Sequence, residues 1–187
     1  SENAVNQVLI VDEGKGLTAL VKLEEQNDED IQLSISRCHA NITSNAQNHQ
    51  NAYKRDEFKS LVRLCWSRNL QTSEFAVMAI GNLCVVLENQ ALLASSGGIP
   101  PLVQLLESES QQTKALAARS VSRIAAHRDN QQRLLKAGAL APLCALLHPE
   151  NSDDCQINAL MGLCNLSSNV HNQPVLAEPQ FNLLPQL

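Results

Sequence analysis

The chain has 187 residues, of which 44% are apolar, 18% are charged and only 3% are aromatic. This composition excludes collagen and a disordered acidic tail, and the scarcity of aromatic residues disfavours a β-sandwich. The net charge of −5 argues against non-specific binding of the whole chain to nucleic acid or to an anionic membrane, so we expect a folded, mostly helical protein.

Charge is distributed unevenly along the chain. Residues 1–50 carry eight acidic and three basic residues, whereas residues 51–136 carry seven acidic and eleven basic residues, a net charge of +4. No Lys or Arg follows Lys136. We therefore expect an anionic partner to bind the middle of the chain.

The sequence lacks the usual signals for export and for membrane insertion. Its start has neither the basic region nor the apolar core of a signal peptide, and its longest apolar run, 137–147, is too short to span a bilayer. The six cysteines form no C-x-x-C pair, which favours buried reduced thiols over a disulfide framework. These features predict a cytoplasmic protein, with nuclear location or attachment to membranes or cytoskeleton through partners left open.

Two sets of polar markers recur at intervals of 41 or 42 residues. The first set is an Asn-Gln pair, replaced once by Asn-His, at Asn6, Asn48, Asn89, Asn130 and Asn172. The second set follows the same interval at Asn41, Asn82, Arg123 and Asn165. Two independent markers with one period predict repeats over 1–47, 48–88, 89–129 and 130–171, with a partial repeat over 172–187.

The first two repeats depart from the common pattern. The first carries one extra residue around Gly14-Lys15-Gly16. The second lacks a glycine break and opens with the polar stretch 45–55, so we expect its first helix to be reduced to a loop.

The third repeat shows the complete pattern. A short helix begins at Asn89, Gly97-Gly98 ends it, and Pro100 lies near the start of a second helix, where a missing N–H costs little. The polar stretch 107–112 then leads into a longer third helix over 113–126. The spacing of apolar residues in both later helices is that of one buried face.

The fourth repeat follows the same order, with Gly138, Pro142 and a third helix that runs through Leu166. The fifth stops before any third helix, and its Pro174, Pro179 and Pro185 fit the pattern poorly. Because neither end shows the polar cap that a stack of repeats needs, we expect the chain to be part of a longer array.

A single repeat of this kind cannot cover its own apolar faces, so neighbouring repeats must stack. Small residues let the long third helices approach closely, namely Ala76, Ala79, Ala117, Ala118 and Ala159. The expected fold is all-α, a right-handed α-solenoid of about four complete three-helix repeats whose third helices line a concave groove.

The residues of the third and fourth repeats resemble armadillo repeats. The motif appears as Gly97-Gly98-Ile99-Pro100-Pro101-Leu102 and again as Gly138-Ala139-Leu140-Ala141-Pro142-Leu143, and a third helix ends in Ala79-Ile80-Gly81-Asn82-Leu83. The resemblance covers nearly the whole chain, and it is closer to β-catenin-like or vacuolar-scaffold-like arrays than to nuclear import adaptors.

The resemblance implies that an Asn near the end of each third helix binds the main chain of an extended peptide. Asn41, Asn82 and Asn165 occupy that position, although such an Asn can instead brace the turn between repeats. Import adaptors carry a Trp four residues earlier, where this chain has Arg37, Met78, Arg119 and Met161. The one Trp, Trp66, lies elsewhere, where we expect it to pack, so an import adaptor is disfavoured.

Arg119 and Arg123 are four residues apart and share one side of their helix. They resemble the basic groove of β-catenin-like proteins, which implies an acidic or phosphorylated ligand. An exposed helix face, or ion pairs with Glu74 or Asp154, is the alternative. Met78 and Met161 would add adaptable apolar contacts to the groove.

The sequence contains no phosphate-binding loop, metal-ligand spacing or catalytic arrangement of Ser, His and Asp. We therefore predict a non-catalytic scaffold without metal or cofactor that binds other proteins through extended segments. Nucleic acid, membrane insertion and a small-molecule substrate are not expected. A module of a larger protein such as a ubiquitin ligase, or an architectural cytoskeletal or ciliary component, is the alternative.

Overall fold

A computed structural model describes residues 2–12, 15–26, 28–50 and 53–177. All regular elements among these residues are helical, and the same residues contain no strand, so the predicted all-α class is confirmed. The chain divides into two compact units, residues 1–101 and 102–187. Gly14 and residues 178–187, which complete the predicted fifth repeat, lie outside the described residues.

The first compact unit contains the predicted first two repeats and the start of the third. Its helices are α1 (Glu2–Asp12), α2 (Lys15–Glu24), α3 (Glu29–Thr43), α4 (Arg55–Cys65), α5 (Leu70–Leu83) and α6 (Leu87–Ser95), followed by α7 (Ile99–Leu105) at its boundary. A single 3-10 turn over Ala46–Asn48 stands where the first helix of the second repeat would be. The expected reduction of that helix is thereby confirmed.

The second compact unit contains α8 (Gln111–Ala125), α9 (Arg128–Lys136), α10 (Leu140–Ala145), α11 (Asp153–Ser167) and α12 (Gln173–Leu176). Serine side chains cap its two long helices. Ser110 Oγ accepts from the Thr113 N–H at 3.2 Å, and Ser152 Oγ accepts from the Cys155 N–H at 3.4 Å. Each cap satisfies one N–H that the first turn of a helix leaves unpaired.

The predicted glycine breaks follow α6 and α9. Gly97 and Gly138 have φ of 83° and 80°, a left-handed conformation that glycine adopts without the strain of a side chain. In each turn the next residue closes the helix end, because the Gly98 N–H donates to Leu93 O and the Ala139 N–H to Leu134 O, both at 3.0 Å. The chain then reverses into the short helices α7 and α10.

The long third helices form the core of each compact unit. In the first unit α3 packs along α5, and in the second α8 packs along α11. The small residues that were predicted to permit this approach have no exposed surface: Ala76, Ala79, Ala117, Ala118 and Ala159. Larger apolar side chains such as Leu61, Leu83 and Leu143 fill the space on the other faces of these helices.

Four of the five recurring Asn residues are buried, namely Asn48, Asn89, Asn130 and Asn172, whereas Asn6 is exposed. Asn48 and Asn89 join successive repeats. Asn89 Nδ2 donates to Leu83 O at 3.0 Å, at the end of α5, and to His49 O at 2.7 Å, in the preceding repeat. Asn48 Nδ2 makes the equivalent pair of bonds, to Ile42 O and Gln7 O, at 3.0 and 3.2 Å. We call this arrangement an asparagine bridge.

The fourth repeat ends with part of the same arrangement. Asn172 Nδ2 donates to Leu166 O at 2.8 Å, the last turn of α11, and lies 3.4 Å from Gln131 Oε1. Gln131 Nε2 in turn donates to Ala125 O and to Asn165 O, both at 2.9 Å. Carbonyl groups that a helix end leaves without intrahelical partners are thus satisfied by side chains of the Asn-Gln pair.

A buried pair of polar side chains joins α3 to the segment before α4. His39 Nδ1 lies 2.9 Å from the Tyr53 hydroxyl, and both residues are buried. Burial lowers the pKa of His39 to about 4 and raises the pKa of Tyr53. Both side chains are therefore uncharged in the folded protein at neutral pH.

We expect Asn89→Ala to lower the free energy of unfolding by about 2–4 kcal/mol, because two buried carbonyl groups lose their donor. Glu88→Gln, at an exposed position of the same helix, should change it by no more than about 0.5 kcal/mol. Urea denaturation of both variants measures the difference. Equal stabilities would show that the asparagine bridge contributes nothing.

We also expect acid to destabilise the fold through His39. The pKa of His39 is about 4 in the folded protein and about 6.5 when unfolded, so the unfolded chain takes up the proton first. Stability should therefore fall as the pH drops from about 6.5 to about 4, by about 3 kcal/mol in total. His39→Leu should remove this part of the pH dependence in urea denaturation, and an unchanged pH dependence would contradict the assignment.

Candidate peptide-binding surface

The eight residues that were predicted to line a groove lie on the four long third helices, two on each. The two members of each pair are four residues apart, so they share one face of their helix. The pairs are Arg37 and Asn41 on α3, Met78 and Asn82 on α5, Arg119 and Arg123 on α8, and Met161 and Asn165 on α11.

In the first compact unit, Asn82 links the two third helices. Its Nδ2 lies 3.4 Å from Thr43 Oγ1 at the end of α3, and Asn82 is half-buried. Asn41 on α3 is exposed, and its main-chain oxygen accepts a hydrogen bond of 2.8 Å from Gln7 Nε2. The same sequence position therefore holds a bracing amide in one helix and an exposed amide in the other.

Arg37 is exposed, and its guanidinium lies over the ring of Phe75, 5.5 Å from the ring centre. At this distance the positive charge is attracted to the electron-rich face of the ring, which holds the guanidinium at the surface of α3 and α5. Phe75 was not predicted as a site residue. It precedes Met78 by three residues on α5, so its helical spacing is the signal that could have identified it.

In the second compact unit, Asn165 makes a firmer bond to its neighbour. Its Nδ2 donates to Ser122 O on α8 at 2.9 Å. The helices approach closely here, since a Cβ placed on Gly162 would lie only 3.7 Å from Ser122 Cα. For Asn82 and Asn165 the structure shows the bracing contact that was left open as an alternative, and each contact uses one of the two amide N–H groups.

Arg119 and Arg123 are half-buried on α8, and Arg119 lines a cleft of about 520 Å³. This cleft runs between the N-terminal halves of α8 and α11, with Asp154 and Asn158 on its α11 side. Arg119 Nε is buried there without a hydrogen-bond acceptor. Burial and the neighbouring charge of Arg123 lower the pKa of Arg119, whereas the carboxylate of Asp154 raises it.

The outer face of α11 is apolar. Ile157, Leu160 and Met161 are exposed by 57%, 55% and 53%. Their spacing places them side by side, so they form a continuous apolar strip on the helix that carries Asn165. Met161 was predicted to line the groove, whereas Ile157 and Leu160 were missed because leucine and isoleucine on a helix are usually interpreted as core residues.

Two expectations from the sequence were wrong. Trp66, which was expected to pack, is 51% exposed, because it follows the last turn of α4, whose buried face is completed by Phe58, Leu61 and Leu64. Cys164 was expected to be a buried thiol and is exposed on α11, although Cys65, Cys84 and Cys155 are buried. All six thiols are free of disulfide bonds.

Within the described residues, no three His, Cys, Asp or Glu side chains gather closely enough to hold a metal ion. None of the helices in this part of the chain combines the length and the apolar character that crossing a bilayer requires.

Residues 88–126 and 127–168 each match the model of the Armadillo/β-catenin-like repeat family. Residues 88–168 carry two armadillo repeats. The third helices α8 and α11, the glycine breaks at Gly97 and Gly138 and the terminal Asn165 are therefore those of armadillo repeats, as the resemblance predicted. No curated protein matches this sequence.

Solved structures extend the likeness to most of the chain. An engineered protein is 26% identical with a TM-score of 0.79, over 94% of this chain and 77% of that one. A designed armadillo repeat protein in complex with the peptide (KR)4 is 27% identical with a TM-score of 0.82, over 94% and 76%. A chain from a structure on the phosphorylation switch between cadherin and β-catenin is 16% identical, covers 85% and 30%, and shares the fold with a TM-score of 0.75.

We expect the same substitution to have different effects at two equivalent positions of the armadillo repeats. Asn165→Ala should lower the free energy of unfolding by about 1 kcal/mol, because it removes the bond to Ser122 O. Asn41→Ala, at an exposed side chain, should change it by less than about 0.5 kcal/mol. Thermal denaturation followed by circular dichroism compares them, and equal losses would contradict the distinction.

Proposed function

We propose that this armadillo-repeat chain is a non-catalytic scaffold that binds an extended, acidic or phosphorylated segment of a partner protein along its third helices. The observation that carries the proposal is Arg119, a half-buried guanidinium at an open cleft whose Nε has no acceptor. A carboxylate or phosphate on a partner would bind the part of this guanidinium that faces the cleft through charge-assisted hydrogen bonds.

The charges on the third helices favour an anionic segment. Arg123 lies one turn from Arg119, and Arg37 is held at the surface by Phe75, so three guanidinium groups line these faces. One guanidinium group can bind two oxygens of a carboxylate or phosphate at once, and its positive charge repels lysine and arginine. The designed armadillo protein in complex with (KR)4 has a basic ligand. The fold alone therefore does not determine the charge of the ligand, which depends on the side chains that line the groove.

The apolar strip on α11 adds a second requirement. Ile157, Leu160 and Met161 lie on the helix that forms the other wall of the Arg119 cleft. A partner segment that places an acidic side chain at Arg119 can therefore bury an apolar side chain against α11. Burial of one leucine-sized side chain would contribute about 1.5–3 kcal/mol, so we expect the segment to combine acidic and apolar residues.

The amide groups of Asn82 and Asn165 suit the main chain of such a segment. Each binds the neighbouring helix through one N–H, so its position is fixed before a ligand arrives. A second N–H and a carbonyl oxygen belong to the same amide, and together they match the acceptor and donor of a peptide unit. An amide held in place loses less conformational freedom on binding than a mobile one.

We expect Arg119→Glu combined with Arg123→Glu to weaken binding of an octapeptide of alternating phosphoserine and leucine at least about 30-fold, because charge-paired contacts become repulsive. Isothermal titration calorimetry measures the affinity, and circular dichroism checks that the variant is folded.

The matched control is Arg128→Glu with Arg133→Glu, which makes the same change of charge at exposed positions of α9. This control should alter the affinity less than about threefold, because exposed charges away from the ligand act only through a screened field. Equal losses in the two double variants would contradict a site on the third helices, and an unaltered affinity in both would favour an architectural role for other faces.

A further inference from the structure

A second cleft, of about 500 Å³, lies in the first compact unit and uses none of the proposed groove residues. The end of α2, the start of α3 and the end of α4 form its walls. We propose that this cleft binds a lysine side chain from a basic segment of a partner protein, held between the indole of Trp66 and the carboxylates of Glu25 and Glu29. The proposal is independent of the function assigned to the third helices.

Trp66 is the only tryptophan of the chain, and 51% of it is exposed. Its main-chain N–H donates to Arg63 O at 3.0 Å, so its backbone is fixed at the end of α4. The half-exposed indole lines the cleft, so part of its surface is open to a ligand. Tryptophan offers the strongest aromatic face for a cation and is enriched at the centres of protein interfaces.

One of the three carboxylates that line the cleft is already satisfied. Glu24 is 6% exposed and accepts from Ser60 Oγ at 2.5 Å and from Arg63 Nε and Nη2 at 3.0 and 2.7 Å. The hydrogen bond to Glu24 raises the pKa of Arg63, as expected for a paired guanidinium. Glu24 and Arg63 therefore offset each other's charge where they line the cleft.

The charge that remains at the rim is negative. Glu25 and Glu29 are exposed on one side, and Asp30 follows on the same turn of α3. Arg68 is the one other basic residue that lines the cleft, so two rim carboxylates outweigh a single guanidinium. An anionic ligand would be repelled here, whereas a cation would be attracted by the carboxylates and by the ring face of Trp66.

Lysine suits this combination of groups. Its methylene groups can cover the indole while its ammonium, with three donors, reaches the carboxylates at the rim. Three residues of an acidic run line one wall of the cleft, namely Glu24, Glu25 and Glu29. The notably acidic sequence around them had no role beyond a solvated loop and a helix start in the prediction from sequence. Residues 1–50 carry eight acidic and three basic residues, and this excess of negative charge would also steer a basic segment to this part.

Tetralysine is the probe, and the fluorescence of Trp66 reports its binding directly because no other tryptophan contributes. We expect a saturable change in emission with a dissociation constant of about 1 mM or below. Tetraglutamate should leave the emission unchanged. Absence of a saturable change with tetralysine in this range, or an equal change with tetraglutamate, would overturn the proposal.

Variants separate the cleft from general attraction to an acidic chain. Glu25→Gln with Glu29→Gln should weaken tetralysine binding at least about fivefold, whereas Glu107→Gln with Glu109→Gln, an equal change at exposed positions, should alter it less than about twofold. Arg68→Gln should strengthen binding, because it removes the opposing charge. Equal losses in the two double variants, or weaker binding by Arg68→Gln, would overturn the proposal.

The indole is tested with a fluorescently labelled tetralysine and fluorescence anisotropy. Trp66→Ala should weaken binding about fivefold and Trp66→Phe less, because phenylalanine retains part of the ring attraction. Arg119→Glu with Arg123→Glu should leave the Trp66 fluorescence response unchanged, so failure at one surface is distinguishable from failure at the other. Unaltered binding in Trp66→Ala would overturn the role of the indole.

Discussion

The asparagine bridge is the interaction on which the rest of the structure depends. A third helix ends with carbonyl groups that have no intrahelical partner, and the chain must turn there in a crowded interior. Asn48 and Asn89 each satisfy one such carbonyl and a second carbonyl of the same preceding repeat with a single buried amide. Because each amide opens one repeat and bonds the repeat before it at two points, it holds the turn between them, and the Asn recurs at the period of the fold.

The bridges also determine what the third helices can present. With the helix ends held, small residues such as Ala79 and Ala117 keep the third helices close, and residues four apart on each helix share one remaining face. In the second compact unit the guanidinium of Arg119 lies at a cleft whose other wall is α11, the helix that carries the apolar strip. Buried amide bonds between repeats thus support helices that present basic and apolar side chains at the surface.

Much of the fold could be predicted from sequence because its determinants are local. Gly97 and Gly138 mark positive φ, Pro100 marks a helix start, and the Asn-Gln pairs mark the period. The exposure of single side chains could not be predicted as well from sequence, because it depends on which neighbours cover them. Trp66 and Ile157 resemble core residues in sequence, yet both are half exposed. The contact of Arg37 with Phe75 joins residues that lie 38 positions apart in the chain.

A crystal structure of the chain with the phosphoserine and leucine octapeptide tests the central claim most directly. The account predicts an extended peptide along α8 and α11, with a phosphate within hydrogen-bond distance of the Arg119 guanidinium and a leucine against Ile157 and Leu160. A peptide bound to other helices, or one whose phosphates avoid Arg119 and Arg123, would contradict it.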